Sequence, residues 1–110
     1  MLYSGTEAKY LIEITADGFS MVDDDFTVEI VRGPNHQFFA KSDLVDEEYE
    51  EEDAEHNTVV KHRYYVCFDT ANLGFGNLFA IVTAFVPDND FGDGLRTEVV
   101  KVDLEPITAV

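Results

Sequence analysis

The chain has 110 residues, the length of a single domain, and carries 23 acidic and 7 basic residues for a net charge of −16. This charge disfavours binding to nucleic acid and to anionic membrane surfaces, because both require positive charge on the protein. Its one cysteine, Cys67, excludes an intramolecular disulfide, and the strand-like run around it predicts a small buried core residue.

Aromatic and β-branched residues cluster in short runs separated by Gly, Pro, Asn and Asp, which is typical of an all-β domain. We expect one antiparallel β-sandwich, Ig-like or jelly-roll-like, with about six to eight strands over residues 1–110. The six main predicted strands are 7–15, 26–32, 36–41, 58–68, 78–86 and 95–104.

The fifth predicted strand is apolar on both faces, whereas a half-exposed antiparallel strand alternates apolar with polar residues. Two explanations remain open. A loop or terminus of the same chain covers the second face, or that face meets another subunit. The residues of this face that we predict for an interface are Phe79, Ile81 and Phe85.

Both ends of the chain carry apolar residues outside these strands, whereas frayed tails are usually polar. We predict an N-terminal arm over 1–6 and a C-terminal arm over 105–110 that dock on the domain or on a neighbouring subunit. Leu2, Tyr3 and Ile107 are therefore further interface candidates.

Three acidic segments account for the whole net charge. Residues 17–25, 43–56 and 87–94 contain four, nine and three acids and no Lys or Arg. If six strands run alternately up and down, these segments lie at the same end of the domain. That end could be a solvated surface, a surface for a basic partner or a cation site. The acidic insertion at 43–57 could also be partly disordered or form a short helix.

The stretch VPDNDFGDGLRTEV, residues 86–99, resembles a calcium-binding loop because it contains three Asp and two Gly residues. In an EF-hand frame started at Asp88, the fifth position is Gly92 and the twelfth is Val99, so the frame fails. An irregular calcium site on Asp88, Asp90 and Asp93 is a weak candidate. The competing interpretation is a polar turn between two strands, because Asp, Asn and Gly favour turns.

The remaining motifs do not predict a catalytic, metal-binding or phosphate-binding site. The GFG at 74–76 lacks a third glycine and a following helix, which favours a tight corner over a phosphate site. The three histidines, His36, His56 and His62, lack metal-ligand spacing, and no serine–histidine–acid, HExxH or CxxC pattern is present. We therefore expect neither an enzyme nor a bound cofactor, with calcium as the one weak exception.

The segment from Phe68 to Val99 resembles a known family. Its FDT, LG.G.L, Pro-Asp-x-Asp-Phe and DG.RTEV patterns are similar to small β-sandwich virion proteins of tailed phages and prophages of Bacteroidales-type gut bacteria. The GFSM and DDDFTVEI patterns of the front half are also similar, whereas the acidic insertion at 43–57 departs from the family.

This resemblance implies a non-enzymatic structural virion protein, associated with the capsid, neck or tail. Its partners would be other virion proteins and a second copy of itself, with neither nucleic acid nor membrane bound. It would be made in the host bacterial cytoplasm and found in the virion. The alternative expectation is a calcium-stabilised Ig-like module for adhesion or carbohydrate binding.

Overall fold

A computed structural model describes residues 1–109, so Val110, the last residue of the predicted C-terminal arm, lies outside the described part. The described residues form nine β-strands and one short 3-10 turn. The strands are β1 (Leu2–Tyr3), β2 (Glu7–Ile12), β3 (Phe26–Arg32), β4 (Asn35–Ala40), β5 (Val45–Glu52), β6 (Thr58–Asp69), β7 (Phe79–Pro87), β8 (Leu95–Asp103) and β9 (Ile107–Thr108), and the turn is Lys41–Asp43.

Two antiparallel sheets make the body of the protein. One has four strands in the order β4-β3-β7-β8, and the other has three in the order β2-β6-β5. The expectation of an all-β antiparallel sandwich is confirmed, with nine strands where about six to eight were predicted. Two short terminal strands, β1 and β9, add a parallel pair.

The core lies between the two sheets and follows from the two-residue period of the strands. Phe26, Val28 and Ile30 of β3 are fully buried, and Val66 of β6 is 1% exposed, while residues between them point outward. Each such side chain contributes about 1.5–3 kcal/mol when it is buried completely. Phe26 packs edge-on against Tyr64 with 5.5 Å between ring centroids, which joins the two sheets at one end.

The acidic insertion at 43–57 is a strand and a turn, neither disordered nor helical. It contains β5, which pairs antiparallel with β6 from Val45 opposite Tyr65 to Glu52 opposite Thr58. The assumed succession of six alternating strands was therefore wrong, because it omits β5. Strand β2 ends at Ile12, opposite Tyr64, so the rest of the β5–β6 hairpin projects beyond the sandwich.

The two chain ends dock on their own domain. The Leu2 and Ser4 amides donate to the carbonyls of Pro106 and Thr108 at 2.8 and 2.9 Å. Thr70 is fully buried beside them; its hydroxyl accepts from the Gly5 amide at 3.1 Å and donates to the Thr6 carbonyl at 2.9 Å. A buried polar group that is hydrogen-bonded in this way escapes the cost of desolvation.

Cys67 is exposed on β6, so the prediction of a buried core cysteine was wrong. The alternation of β6 explains the error, because Val66 and Phe68 point into the core and the residue between them points outward. Cys67 lies opposite Lys9 of β2, on the outward face of the three-stranded sheet.

Candidate functional site

The first candidate surface is the outward face of the four-stranded sheet. Along β7 the side chains alternate between buried and half-buried, and the half-buried row contains the predicted interface residues Phe79, Ile81 and Phe85. Strands β3 and β8 flank β7 on its two sides, so this row runs along the middle of the sheet. The sheet therefore presents apolar side chains to the outside as well as to the core.

Strand β8 extends this row into a patch, and β4 adds an exposed apolar residue on the far side of β3. Phe38 of β4 is 62% exposed, and on β8 Val99 is 61% and Leu95 39% exposed. Val99 pairs with Thr83 of β7 and thus lies diagonally between Ile81 and Phe85. The β4 and β8 members were not predicted from the sequence, although the alternation of Leu95, Thr97 and Val99 is a signal that could have revealed the β8 members. We call this patch the outer sheet face, and its members are Phe38, Phe79, Ile81, Phe85, Leu95 and Val99.

The described parts of the terminal arms, residues 1–6 and 105–109, do not cover the outer sheet face. Ile107 is 2% exposed in the core, and Leu2 pairs with it and packs against the same core. These two predicted interface residues are thus used within the chain itself. Tyr3 remains 55% exposed near them, at the far end from the acidic segments.

The second candidate surface is the acidic end of the sandwich. The Phe85 amide donates to the Asp25 carbonyl at 3.0 Å, and the Arg96 guanidinium reaches the Asp17 carbonyl at 3.5 Å. These bonds hold the segment 17–25 beside the turn 87–94. The β5–β6 hairpin projects from the same end, so all three acidic segments lie there.

Lys41 is a basic residue that binds the acidic segment 17–25. Its ammonium group donates to the backbone carbonyls of Val22 and Asp24, both at 2.9 Å. The same group lies 5.5 Å from the ring centroids of Phe26 and Tyr64, a distance at which cation–π attraction contributes. Lys41 therefore fixes an acidic loop onto the aromatic residues that join the sheets.

An open concavity of about 600 Å³ lies between the loop 22–25 and the base of the hairpin. Asp25, Lys41, Asp46 and Tyr64 line it. Burial raises the pKa of the Tyr64 hydroxyl, and the negative charges of Asp46 and Asp23 raise it further.

The two faces of the β5–β6 hairpin differ in charge. On one face Lys61 pairs with Glu51 at 2.6 Å, and the Arg63 guanidinium lies 3.8 Å from the centroid of the Tyr49 ring. The hydrogen bond between Lys61 and Glu51 lowers the pKa of the carboxyl and raises that of the ammonium. On the other face the β5 carboxylates meet histidines instead of Lys or Arg. His62 lies 2.7 Å from Asp46, and the second such contact joins His56 to Glu52 at 2.5 Å.

The turn at 88–94 uses its carboxylates for its own backbone. Asp88 accepts from the Asp90 amide at 3.0 Å and from the Arg96 guanidinium at 2.5 Å, and Asp93 accepts from the Leu95 amide at 3.0 Å. The Asp90 amide, and then Arg96, hold the pKa of Asp88 below its ordinary value. These hydrogen bonds match the polar-turn interpretation.

The weak calcium candidates do not form a cluster. Within residues 1–109, no three Asp, Glu, His or Cys side chains come together in a group that could hold a metal ion. The described part of the chain also has no helix that combines the length and apolar character needed to cross a membrane.

A scan against protein-family models and searches of curated proteins and of solved structures find no match for this chain.

Proposed function

We propose that the chain is a non-enzymatic structural protein of a phage virion, a capsid-associated, neck or tail module that acts by assembling with other virion proteins. It is made in the host bacterial cytoplasm and incorporated into the particle. The observation that carries the assembly role is the outer sheet face, where Val99 is 61% exposed beside the half-buried row of β7 and Phe38 is 62% exposed on β4 of the same sheet.

Exposed apolar side chains that form a contiguous patch mark surfaces that bind other proteins, whereas scattered ones are ordinary. The outer sheet face is contiguous from β7 to Leu95 and Val99 of β8, whereas Thr27 and Glu29 of β3 separate Phe38 of β4 from β7. Burying it against a partner would remove apolar area from water, the main favourable term in protein association. The virion part of the proposal is supported by the resemblance of residues 68–99 to phage structural proteins.

The test is the composition of particles purified from a strain that carries the gene. We expect the chain to co-band with the capsid protein in a density gradient and to remain bound after a high-salt wash, because apolar contacts resist screening. Mass spectrometry of the band would measure its copy number. A chain found only in the soluble fraction would refute the virion role.

A matched pair of variants tests the outer sheet face itself. Phe38→Lys places a charge within this face, and Glu29 lies directly opposite it on β3, so the fold tolerates the change. Val60→Lys is the control, since Val60 is 59% exposed, close to the 62% of Phe38, but lies on the hairpin. We expect Phe38→Lys to be depleted from particles and Val60→Lys to be incorporated like the wild type, with both melting as the wild type does.

A further inference from the structure

Strand β8 is the least protected sheet edge of the described chain. It has nine residues, contains neither Pro nor Gly, and its second side pairs with no other described strand. The edge strand β5 carries six acids over eight residues, which repel a second copy, and β2 and β4 have six residues each. A free edge of this length offers a row of backbone donors and acceptors to an added strand.

Residues 95–99 of β8 can pair favourably with the same residues of a second copy that runs antiparallel to them. In an antiparallel pair about a two-fold axis, residues opposite each other point to the same face. If the axis passes Thr97, then Leu95 faces Val99, Arg96 faces Glu98 and Thr97 faces Thr97 of the second copy. Opposite-charge and Thr–Thr pairs across neighbouring strands contribute about 0.2–1 kcal/mol each, and the facing Leu95 and Val99 add apolar contact.

Among the other positions of the axis along β8, only one at Val102 also sets opposite charges against each other, Lys101 against Asp103. There only residues 101–103 of β8 overlap between the two copies, whereas residues 95–99 overlap with the axis at Thr97. An axis at Glu98 sets two glutamates against each other, and one at Lys101 sets two lysines against each other. With the axis at Val99, Leu95 faces Asp103, and with the axis at Val100, no opposite charges meet. Like charges directly opposite are destabilising, so the position at Thr97 is favoured.

We propose that two copies of the chain pair through β8, antiparallel and centred on Thr97, and so join two four-stranded sheets into one of eight strands. The inference rests on the proposed assembly role of the outer sheet face and names a second copy as its partner. Leu95 and Val99 lie on that face beside Phe85, so the pairing makes the two apolar patches continuous across the axis.

The charge distribution is compatible with this arrangement. Each chain has a net charge of −16, concentrated at one end of the sandwich. An antiparallel pairing of β8 points the two projecting hairpins in opposite directions. Exposed charges further apart than the Debye length, about 8–10 Å at moderate salt, repel each other weakly. A parallel pairing would bring the two acidic ends together.

Disulfide trapping tests both the pairing and its register. In a Cys67→Ser background, Thr97→Cys places two thiols directly across the axis, where the Cα atoms of paired residues are about 4.5–5.5 Å apart, within reach of a disulfide. Val99→Cys is the matched control, since in this register its two copies lie about 14 Å apart along the strands. We expect rapid cross-linking of the Thr97→Cys variant under mild oxidation and only slow, collisional cross-linking of the Val99→Cys variant. Equal rates, or faster cross-linking at position 99, would overturn the proposal.

A charge reversal provides a second test by sedimentation. Glu98→Arg sets arginines opposite each other and is expected to weaken dimerisation. Glu98→Asp keeps two opposite-charge pairs, leaves the Arg96–Asp88 ion pair in place and is expected to dimerise like the wild type. A Glu98→Arg variant that dimerises as well as Glu98→Asp would contradict the pairing.

The experiments can refute either proposal without refuting the other. If the chain is found in purified particles and the Thr97→Cys variant does not cross-link, the β8 pairing is removed and the virion role remains. If that variant cross-links and the chain is absent from particles, the virion role is removed and the pairing remains.

Discussion

Gly74 has a backbone conformation that disfavours any residue with a side chain, and Arg32 leaves little room for one. Its φ is +88°, and a Cβ built on it would lie 2.7 Å from the Arg32 guanidinium. Arg32 is held there because its Nε donates to the Leu73 carbonyl at 2.6 Å, and Asn35 donates to the same oxygen at 2.7 Å. The GFG motif thus forms a corner that ties β3 and β4 to the segment after β6.

We expect Gly74→Ala to destabilise the protein by about 1–3 kcal/mol, since it forces a left-handed backbone on alanine and displaces Arg32. Urea unfolding measures this as a lower midpoint. Gly92→Ala is the control, because Gly92 lacks a positive φ and nothing lies within 4 Å of an added Cβ. The control should stay within about 0.5 kcal/mol of the wild type, and equal losses in the two variants would contradict this account.

Asp88 links the turn 88–94 to β8 through Arg96, and this link is expected to depend on pH. Because the pKa of Asp88 is lower in the folded than in the unfolded chain, folding is favoured above the unfolded-state value, and this stabilisation is lost as the pH falls through the folded-state value. The free-energy difference between wild type and Asp88→Asn should therefore be larger at about pH 6 than at about pH 2.5.

Unfolding by urea at the two pH values measures the contribution of Asp88. Asp90→Asn is the control, because no salt bridge of Asp90 is found among the described residues. We expect its effect on the unfolding free energy to be the same at both pH values. A difference for Asp88→Asn that does not shrink in acid would show that the carboxylate charge is not what stabilises the turn.

At the scale of elements, the β5–β6 hairpin is held mainly by pairs across its two strands. Beyond Tyr64 it has only two strands, and isolated two-stranded ribbons are marginally stable in water. Its residues on β5 are exposed, apart from the half-buried Tyr49. The hairpin is therefore stabilised by less buried surface than the sheets from which it projects.

We expect the amides of Glu48–Glu52 to exchange hydrogen at least about 100 times faster than those of β3, since local opening needs little buried area to be exposed. Hydrogen exchange followed by mass spectrometry measures both segments in one experiment. Equal protection of β5 and β3 would mean that the hairpin opens only with the whole domain.

The β5–β6 hairpin also contains the largest part of the fold that was not predicted from the sequence, strand β5. The six main strands were predicted to within three residues of their true bounds, because most of them place apolar residues at every second position, facing the core. Strand β5 was missed since it has almost no apolar residues, and charge pairs stabilise it instead. The acids Glu47, Glu48 and Glu51 lie opposite or near Arg63, His62 and Lys61, and this mirror symmetry about the turn 53–57 is a signal that could have revealed the hairpin.

The terminal strands were also unpredictable, for a different reason. β1 and β9 have two residues each and form only because the ends of the chain meet at Leu2 and Ile107. The outer sheet face was predicted only along β7. Its β4 and β8 members depend on which strands are neighbours, and that information is long-range.

The whole molecule is extended compared with a compact domain. Its radius of gyration is 16.4 Å, whereas a compact chain of this length has about 13 Å, and its principal extents are 50 × 40 × 20 Å. The net charge of −16 lies mostly at the end from which the hairpin projects. Repulsion between these carboxylates opposes folding and is screened by salt.

We therefore expect sodium chloride to raise the melting temperature, by about 5 °C for each 1 kcal/mol of repulsion that is screened. Calorimetry in calcium chloride and in magnesium chloride of equal ionic strength gives the control. The two divalent salts should raise the melting temperature equally, since Asp88 and Asp93 already accept hydrogen bonds from the protein. An excess shift in calcium would establish a selective calcium site and favour the alternative, calcium-stabilised module.

The outward orientation of Cys67 has a practical consequence. The chain has one thiol, and it lies on the three-stranded sheet, the opposite sheet from β8 and the outer sheet face. A maleimide reagent would couple the unmodified protein to a solid support through one bond and in one orientation. Every immobilised molecule would then present its four-stranded sheet to the solution, ready for capture measurements with any partner applied over it.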